Sequence, residues 1–149
     1  MADARQAPAT AGIDPRGPRF GAAVSAVLLA VTVVLGTGPA ATALLAVAVV
    51  LFAIGAARGP QHSVQGWVFR RWVRPRLAPP TSLEDPAPPR FAQTVGLVVT
   101  LMGLALSPLV PGAVPVAAAV ALVAAFLNAA FGFCLGCEMY LLLQRLRRA

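Results

Sequence analysis

Charged residues are scarce in this chain. Asp, Glu, Lys and Arg make up 11% of its 149 residues, whereas soluble domains carry about 25%. Lysine is absent, so all 12 basic residues are arginine. Hydrophobic residues make up 58% of the chain. These proportions argue against a soluble domain and indicate a membrane protein.

Residues that bind metals are also scarce. His62 is the only histidine, and Cys134 and Cys137 are the only cysteines. A structural zinc site needs four ligands, so the sequence argues against a metal site within one chain. Two copies of the chain could together supply four thiolates. We expect no other cofactor.

Acidic residues are fewer than basic ones, and the net charge is +7. The arginines lie beside apolar runs, which suits contact with anionic lipid head groups. Nucleic acid is not expected as a partner, because there is no soluble fold on which to arrange a basic face. The arginines expected to contact lipid are Arg70, Arg71, Arg74, Arg76, Arg145, Arg147 and Arg148.

Four apolar runs are close to the roughly 20 residues that a membrane-spanning helix needs. Pro15 and Pro18 are expected to prevent a regular helix before Arg19. Residues 1–13 are expected to form a disordered tail, with no cleavable signal peptide. The predicted spans cover residues 20–35, 39–57, 91–109 and 114–133.

Two further helices are expected at the membrane surface. Residues 63–74 combine Trp with Arg, which is typical of the head-group layer, and Ser63 is a suitable N-cap for this helix. A Pro-rich connector is predicted over residues 77–84. The second surface helix is predicted over residues 137–148.

The positions of the arginines also predict an orientation. The loops at residues 36–38 and 111–114 carry no charge, whereas every segment on the other side of the four spans is basic. The positive-inside rule then places both termini and the central segment in the cytoplasm. We therefore expect a multi-pass protein of the cell inner (plasma) membrane.

One short motif occurs twice. Asp14-Pro-Arg-Gly-Pro-Arg-Phe20 recurs as Asp85-Pro-Ala-Pro-Pro-Arg-Phe91, with five of seven residues identical. Each copy opens a hairpin of two spans. This arrangement predicts two repeats, residues 14–76 and 85–149, related by an axis along the membrane normal.

Two more detailed predictions follow from the repeat. The two aspartates are expected to cap the spans or to pair with Arg19 and Arg90. A weaker extension of the alignment places Gln61 and Val64 opposite the two cysteines. Any chemistry of the cysteines would then belong to the second repeat alone.

The cysteines form a C-x-x-C motif between an apolar run and a basic tail. By analogy with the first repeat, the fourth span should end near Gly132, and a new helix should begin around residues 136–138. Cys134 and Cys137 would then lie at the start of a helix, where free amide N–H groups favour a thiolate. In a continuous helix, a disulfide between them would be strained.

The motif has several possible roles. A redox-active or sulfur-handling dithiol is favoured, with Cys134 as the nucleophile and Cys137 as the resolving thiol. Glu138 could accept a proton, although a role as a helix cap is favoured. The interpretation that the two cysteines are inert and buried also stays open. A structural disulfide is disfavoured in the cytoplasm. Asn128 is expected to bond to a neighbouring helix.

At Gly132-Phe-Cys-Leu-Gly-Cys-Glu-Met-Tyr140, together with the first copy of the repeated motif and Pro88-Pro-Arg-Phe91, the chain resembles a bacterial family of small membrane proteins called domain of unknown function 4395. The resemblance extends from about Asp14 to Arg145. It implies a gene context with thioredoxin-like proteins and sulfurtransferases, and hence thiol or sulfur chemistry. It implies no residue role beyond the two cysteines.

The sequence thus predicts an all-α integral membrane protein. Its four transmembrane helices form two parallel-related hairpin repeats, each followed by a short interfacial helix. The favoured function is exchange of a disulfide or a persulfide with a thioredoxin-like or sulfurtransferase partner. The alternatives are a transporter or channel for a sulfur-containing solute, which would need a homo-oligomer, and a structural subunit with inert cysteines.

Overall fold

The computed structural model describes residues 12–149. The part of the predicted disordered tail that covers residues 1–11 lies outside the described residues. The α-helices of the described chain are α1 (Arg16–Leu35), α2 (Pro39–Arg58), α3 (Val64–Val68), α4 (Ala87–Leu106), α5 (Ala113–Phe131) and α6 (Leu135–Arg148).

Four of these helices, α1, α2, α4 and α5, are long and apolar enough to cross a membrane. The predicted all-helical fold with four candidate spans is confirmed. Between the second and the third of them, α3 follows a 3-10 turn at Pro60–His62. It continues into a π-helical turn at Phe69–Val73 and a 3-10 turn at Arg74–Arg76.

The first and third long helices begin earlier than predicted. Pro18 lies in the first turn of α1, which starts at Arg16, and Pro88 and Pro89 lie in the first turn of α4. Because the first N–H groups of a helix have no partner within it, proline in this turn costs no hydrogen bond. The prediction that proline prevents a helix before Arg19 was therefore wrong.

Two aspartates bind the first turns of these helices. Asp14 Oδ1 accepts the Arg16 N–H at 3.0 Å, and Asp85 Oδ1 accepts the Ala87 N–H at 2.8 Å. Asp14 also forms an ion pair with the Arg16 side chain. These bonds from Arg16 keep the pKa of the Asp14 carboxyl below its ordinary value. The predicted capping is confirmed.

The predicted pairing of the aspartates with Arg19 and Arg90 was wrong, because both arginines bind the ends of other helices. Arg90 donates from Nε to Ala56 O at 2.7 Å and from Nη2 to Ala57 O at 2.8 Å, in the last turn of α2. Arg19 donates to Ala129 O in the last turn of α5 at 3.4 Å. The last carbonyls of a helix lack partners within it and favour a cation.

Helices from the two halves of the chain pack against each other. α1 contacts α5 most extensively, and α2 contacts α4. Small residues predominate where they meet, which lets the backbones approach closely. The buried core comprises Leu29, Ala41, Leu45, Ala48, Phe52, Val114, Ala118 and Ala121.

The outer faces of the four long helices are apolar. Val27, Val50, Met102 and Val116, one from each helix, expose more than half of their surface. An apolar surface that continues over all four helices suits contact with lipid rather than with water.

A short backbone pairing lies next to the start of α1. The Ile13 N–H donates to Glu84 O at 2.8 Å, and the Glu84 N–H donates to Ile13 O at 2.9 Å. Arg16 also donates to Ala78 O at 2.9 Å. Ile13 was predicted to be disordered, but it is buried in this pairing with the last residue of the Pro-rich connector.

Replacing Arg90 with alanine is expected to lower the free energy of unfolding by about 1–2 kcal/mol, because two charge-assisted hydrogen bonds to α2 are lost near solvent. Thermal unfolding of the purified protein in detergent measures the change. Arg58→Ala is the matched control, since Arg58 is exposed at the same helix end and makes no side-chain hydrogen bond within the described residues. An equal loss in both variants would contradict the assignment.

Candidate functional site

The C-x-x-C motif lies at a break between two helices. α5 ends at Phe131, and Gly132 follows with φ of 69°, a left-handed conformation that glycine adopts without strain. The Gly132 N–H donates to Asn128 O at 3.0 Å, and the Phe133 N–H donates to Leu127 O at 3.2 Å. The predicted break is confirmed, although α6 begins at Leu135 rather than around residues 136–138.

The two cysteines occupy the first turn of α6. Cys134 is its N-cap, and the Cys134 sulfur accepts the Cys137 N–H at 3.3 Å. The two sulfur atoms lie at disulfide-bonding distance, and the Cα atoms are 5.2 Å apart, within the range that disulfides span. The Cys137 N–H that donates to this sulfur and the positive end of the helix dipole both favour negative charge on Cys134 in the reduced pair.

Glu138 does not cap α6 through its side chain. The Cys134 sulfur takes that role, and Glu138 lies one residue beyond the position from which a carboxylate reaches back to the N-cap. The exposed Glu138 side chain lies in the first turn, where a negative charge is favourable. Its role as a proton acceptor stays a prediction.

α6 packs closely against α4. Gly136 is buried on Ala92: a Cβ atom added at Gly136 would lie 2.5 Å from the Ala92 Cα. One turn further along, the rings of Phe91 and Tyr140 are 5.7 Å apart. These two contacts fix the position of the cysteines relative to the long helices.

The start of α3 is built in the same way as the start of α6. Ser63 is the N-cap of α3, and its Oγ accepts the Gly66 N–H at 3.0 Å. The rings of Phe20 and Phe69 are 5.8 Å apart, which parallels the contact between α4 and α6. Gly21 lies against Gln65, as Ala92 lies against Gly136.

These matching contacts recur at the spacing that separates Asp14 from Asp85. The same spacing separates Ser63 from Cys134 and Gly66 from Cys137. These contacts differ by two residues from the predicted pairing of the cysteines with Gln61 and Val64, because the apolar runs between the motifs give no fixed register for an alignment.

A cavity of about 230 Å³ adjoins the motif between α1, α2, α4, α5 and α6. Most of its wall is apolar, including Phe52 and Val99. Of the two cysteines, Cys134 lines the cavity. The polar residues that share this wall are Ser25, Gln93 and Asn128.

The amide side chains in this cavity have no hydrogen-bond partner among residues 12–149. The Gln93 Oε1 atom is buried and accepts no hydrogen bond within the described residues. Asn128 was predicted to bond to a neighbouring helix, but it faces the cavity and makes no side-chain hydrogen bond to the part of the chain that the structure describes. Gln93 and Asn128 lie near the motif because the break between α5 and α6 places Cys134 beside them. Gln93 was not predicted, and its only signal was an amide within an apolar run.

Within residues 12–149, no group of three or more His, Cys, Asp and Glu side chains is placed to hold a metal ion. The arrangement of Cys134 and Cys137 offers the chemistry of two neighbouring sulfur atoms.

Comparison with known proteins identifies one family. The family described as domain of unknown function (DUF4395) matches residues 13–145. This range includes the four long helices and both cysteines. No curated protein and no solved structure matches the chain.

Proposed function

The chain belongs to the DUF4395 family, and we propose that it is an integral membrane protein that exchanges a disulfide or a persulfide with a soluble partner. One observation carries the proposal. The Cys134 sulfur accepts the Cys137 N–H at the start of a helix and also lies at disulfide-bonding distance from the Cys137 sulfur. Both the reduced and the oxidised pair fit this backbone.

In the reduced protein, the Cys134 thiolate attacks a disulfide of the partner. A bond forms between the two proteins, and one partner thiolate leaves. Cys137, after losing its proton to Glu138 or to water, then attacks the Cys134 sulfur. The second partner thiolate leaves, so the partner gains two electrons and the Cys134–Cys137 pair loses them.

Transfer of a persulfide uses the same nucleophile. Cys134 attacks the outer sulfur of a persulfide on the partner, and the partner leaves as a thiolate. Thioredoxin-like proteins and sulfurtransferases are the classes of soluble protein that offer these two substrates.

The repeat is part of this proposal. The two proposed units, residues 14–76 and 85–149, each contain two spans and an interfacial helix. Three pairs of contacts support them: the arginines that bind the ends of helices in the other unit, the caps of α3 and α6, and the aromatic pairs at Phe69 and Tyr140.

We place α3, its continuation to Arg76 and α6 at the cytoplasmic surface of the inner membrane, with both termini in the cytoplasm. The exposed indoles of Trp67 and Trp72 support this position, as does Arg71, which lies 5.9 Å from the Trp72 ring. The proposed lipid contacts are Arg70, Arg71, Arg74, Arg76, Arg145, Arg147 and Arg148.

The test is to trap the exchange intermediate. In a Cys137→Ser variant, Cys134 can attack the partner, but no thiol remains to release it. Incubation with an oxidised thioredoxin-like protein should therefore accumulate a mixed disulfide, seen by mass spectrometry. The Cys134→Ser/Cys137→Ser variant is the control and should form none. The proposal fails if neither cysteine is ever oxidised or persulfidated in cells.

A second candidate is a transporter or channel for a sulfur-containing solute, which the cavity beside Cys134 favours. A cavity of about 230 Å³ is not a pore, so this function needs a homo-oligomer. Uptake into liposomes that is unchanged by Cys134→Ala/Cys137→Ala would favour it over thiol exchange. Full function of that variant in cells would instead favour a structural subunit with inert cysteines.

A further inference from the structure

We propose that the cavity beside Cys134 binds the head group of a membrane quinone, which accepts two electrons from the Cys134–Cys137 dithiol. The inference rests on the proposed function, because a quinone can oxidise the pair only if the pair is redox-active. It adds a second, lipid-soluble substrate to the soluble partner.

The position of the cavity selects an apolar reactant. It lies between helices that are long and apolar enough to cross a membrane, and its wall is mostly apolar. A reactant that reaches Cys134 from this side must dissolve in lipid and must exchange two electrons with a dithiol. Quinones are the mobile carriers of a bilayer that meet both requirements.

The polar groups of the cavity suit the two oxygen atoms of a quinone. A quinone accepts hydrogen bonds at its carbonyl oxygens, and the quinol that it becomes donates from its hydroxyl groups. Primary amides such as those of Gln93 and Asn128 both donate and accept. The Gln93 Oε1 atom is buried against Gly55 of α2. The Gln93 Nε2 atom makes no hydrogen bond within the described residues and can donate to a quinone carbonyl oxygen.

The size of the cavity limits the ligand to a head group. Its volume of about 230 Å³ is below the roughly 300–1,000 Å³ of pockets that enclose drug-sized molecules. A quinone ring can occupy it while the isoprenoid tail extends among the lipids. A lipid acyl chain in the same space would leave both amides without partners.

The atoms and electrons of the proposed reaction balance among Cys134, Cys137 and the quinone. The Cys134 thiolate adds to a ring carbon of the quinone, and the ring takes up a proton. Cys137 then attacks the Cys134 sulfur. The disulfide forms, the carbon–sulfur bond breaks, and its electron pair remains on the ring. The quinone has then gained two electrons and the two thiol protons, and leaves as the quinol.

The test uses purified reduced protein in detergent and a short-chain benzoquinone with one isoprene unit. We expect one quinol, measured by absorbance, for each disulfide, measured by thiol alkylation. Ala22→Phe places a ring in the cavity and should slow the reaction by about tenfold or more. Ala23→Phe is the matched control, because Ala23 is exposed and does not line the cavity; it should react at the wild-type rate.

Two further variants keep the test informative if Ala22→Phe does not fold. Gln93→Leu removes the amide and should raise the quinone concentration needed for half-maximal rate. Cys137→Ser should stop at the Cys134–quinone adduct, which adds the mass of one quinone to the intact protein.

The outcomes separate the two proposals. Equal rates in Ala22→Phe and Ala23→Phe overturn the quinone site, since thiols also react with quinones without binding them. Wild-type protein that reacts with a soluble protein disulfide but forms no quinol overturns the quinone site and leaves the proposed function standing. Wild-type protein that reacts with neither overturns both.

Discussion

Replacing Gly136 with valine is expected to displace α6 from α4 and to disorder the C-x-x-C site. A Cβ atom at this position would lie 2.5 Å from the Ala92 Cα and 2.6 Å from its Cβ. No side-chain rotation relieves these contacts, so one helix must move. Overpacking of this kind costs about 3 kcal/mol or more where backbone is involved.

Thermal unfolding of the purified variant measures this loss, and alkylation of Cys134 and Cys137 measures their exposure. Gly38→Val is the matched control, because Gly38 has extended backbone and nothing within 4 Å of an added Cβ atom. Its cost should stay near the loss of about 1 kcal/mol expected at a helix N-cap. Equal stability of the two valine variants would show that α4 and α6 are not in close contact.

Replacing Cys134 with serine is expected to abolish thiol exchange while preserving the start of α6. A serine hydroxyl can accept the N–H of residue 137, as Ser63 Oγ accepts the Gly66 N–H at the start of α3. The melting temperature should therefore stay close to that of the wild type. The rate of exchange with a small disulfide reagent should fall by about a thousandfold or more, as expected when a nucleophile is removed.

Cys134→Ala separates the two roles of this residue. It removes the cap as well as the nucleophile, so it should lose about 1 kcal/mol of stability relative to Cys134→Ser. Serine and alanine variants of equal stability would show that the cap contributes little. Rapid exchange in Cys134→Ser would assign the attack to Cys137 instead.

Much of the architecture could be predicted from the sequence because its signals are local. Uninterrupted apolar runs indicated the four long helices, and Gly132 between an apolar run and the cysteines indicated the break before α6. The starts of α1 and α4 were misjudged because proline is compatible with the first turn of a helix. The Asp14 and Asp85 caps were predictable because each aspartate binds the N–H two residues ahead.

The surroundings of the cysteines could not be predicted, because they depend on contacts between distant parts of the chain. Nothing local shows that Gly136 lies on Ala92 or that Arg90 reaches the end of α2. The cavity exists only where five helices meet, so Gln93 could not be linked to Cys134 in advance. The matching contacts of Ser63 and Cys134 differ by two residues from the predicted alignment for the same reason.

The pairing of α1 with α5 and of α2 with α4 has a consequence for biosynthesis. When the first hairpin leaves the ribosome, the helices that it packs against have not yet been made, and the carbonyls that Arg90 binds are without this partner. The hairpin of α1 and α2 must therefore remain loosely packed in the membrane until these partners have been made. Its final packing, and with it the wall of the cavity, can form only after α5 has been inserted.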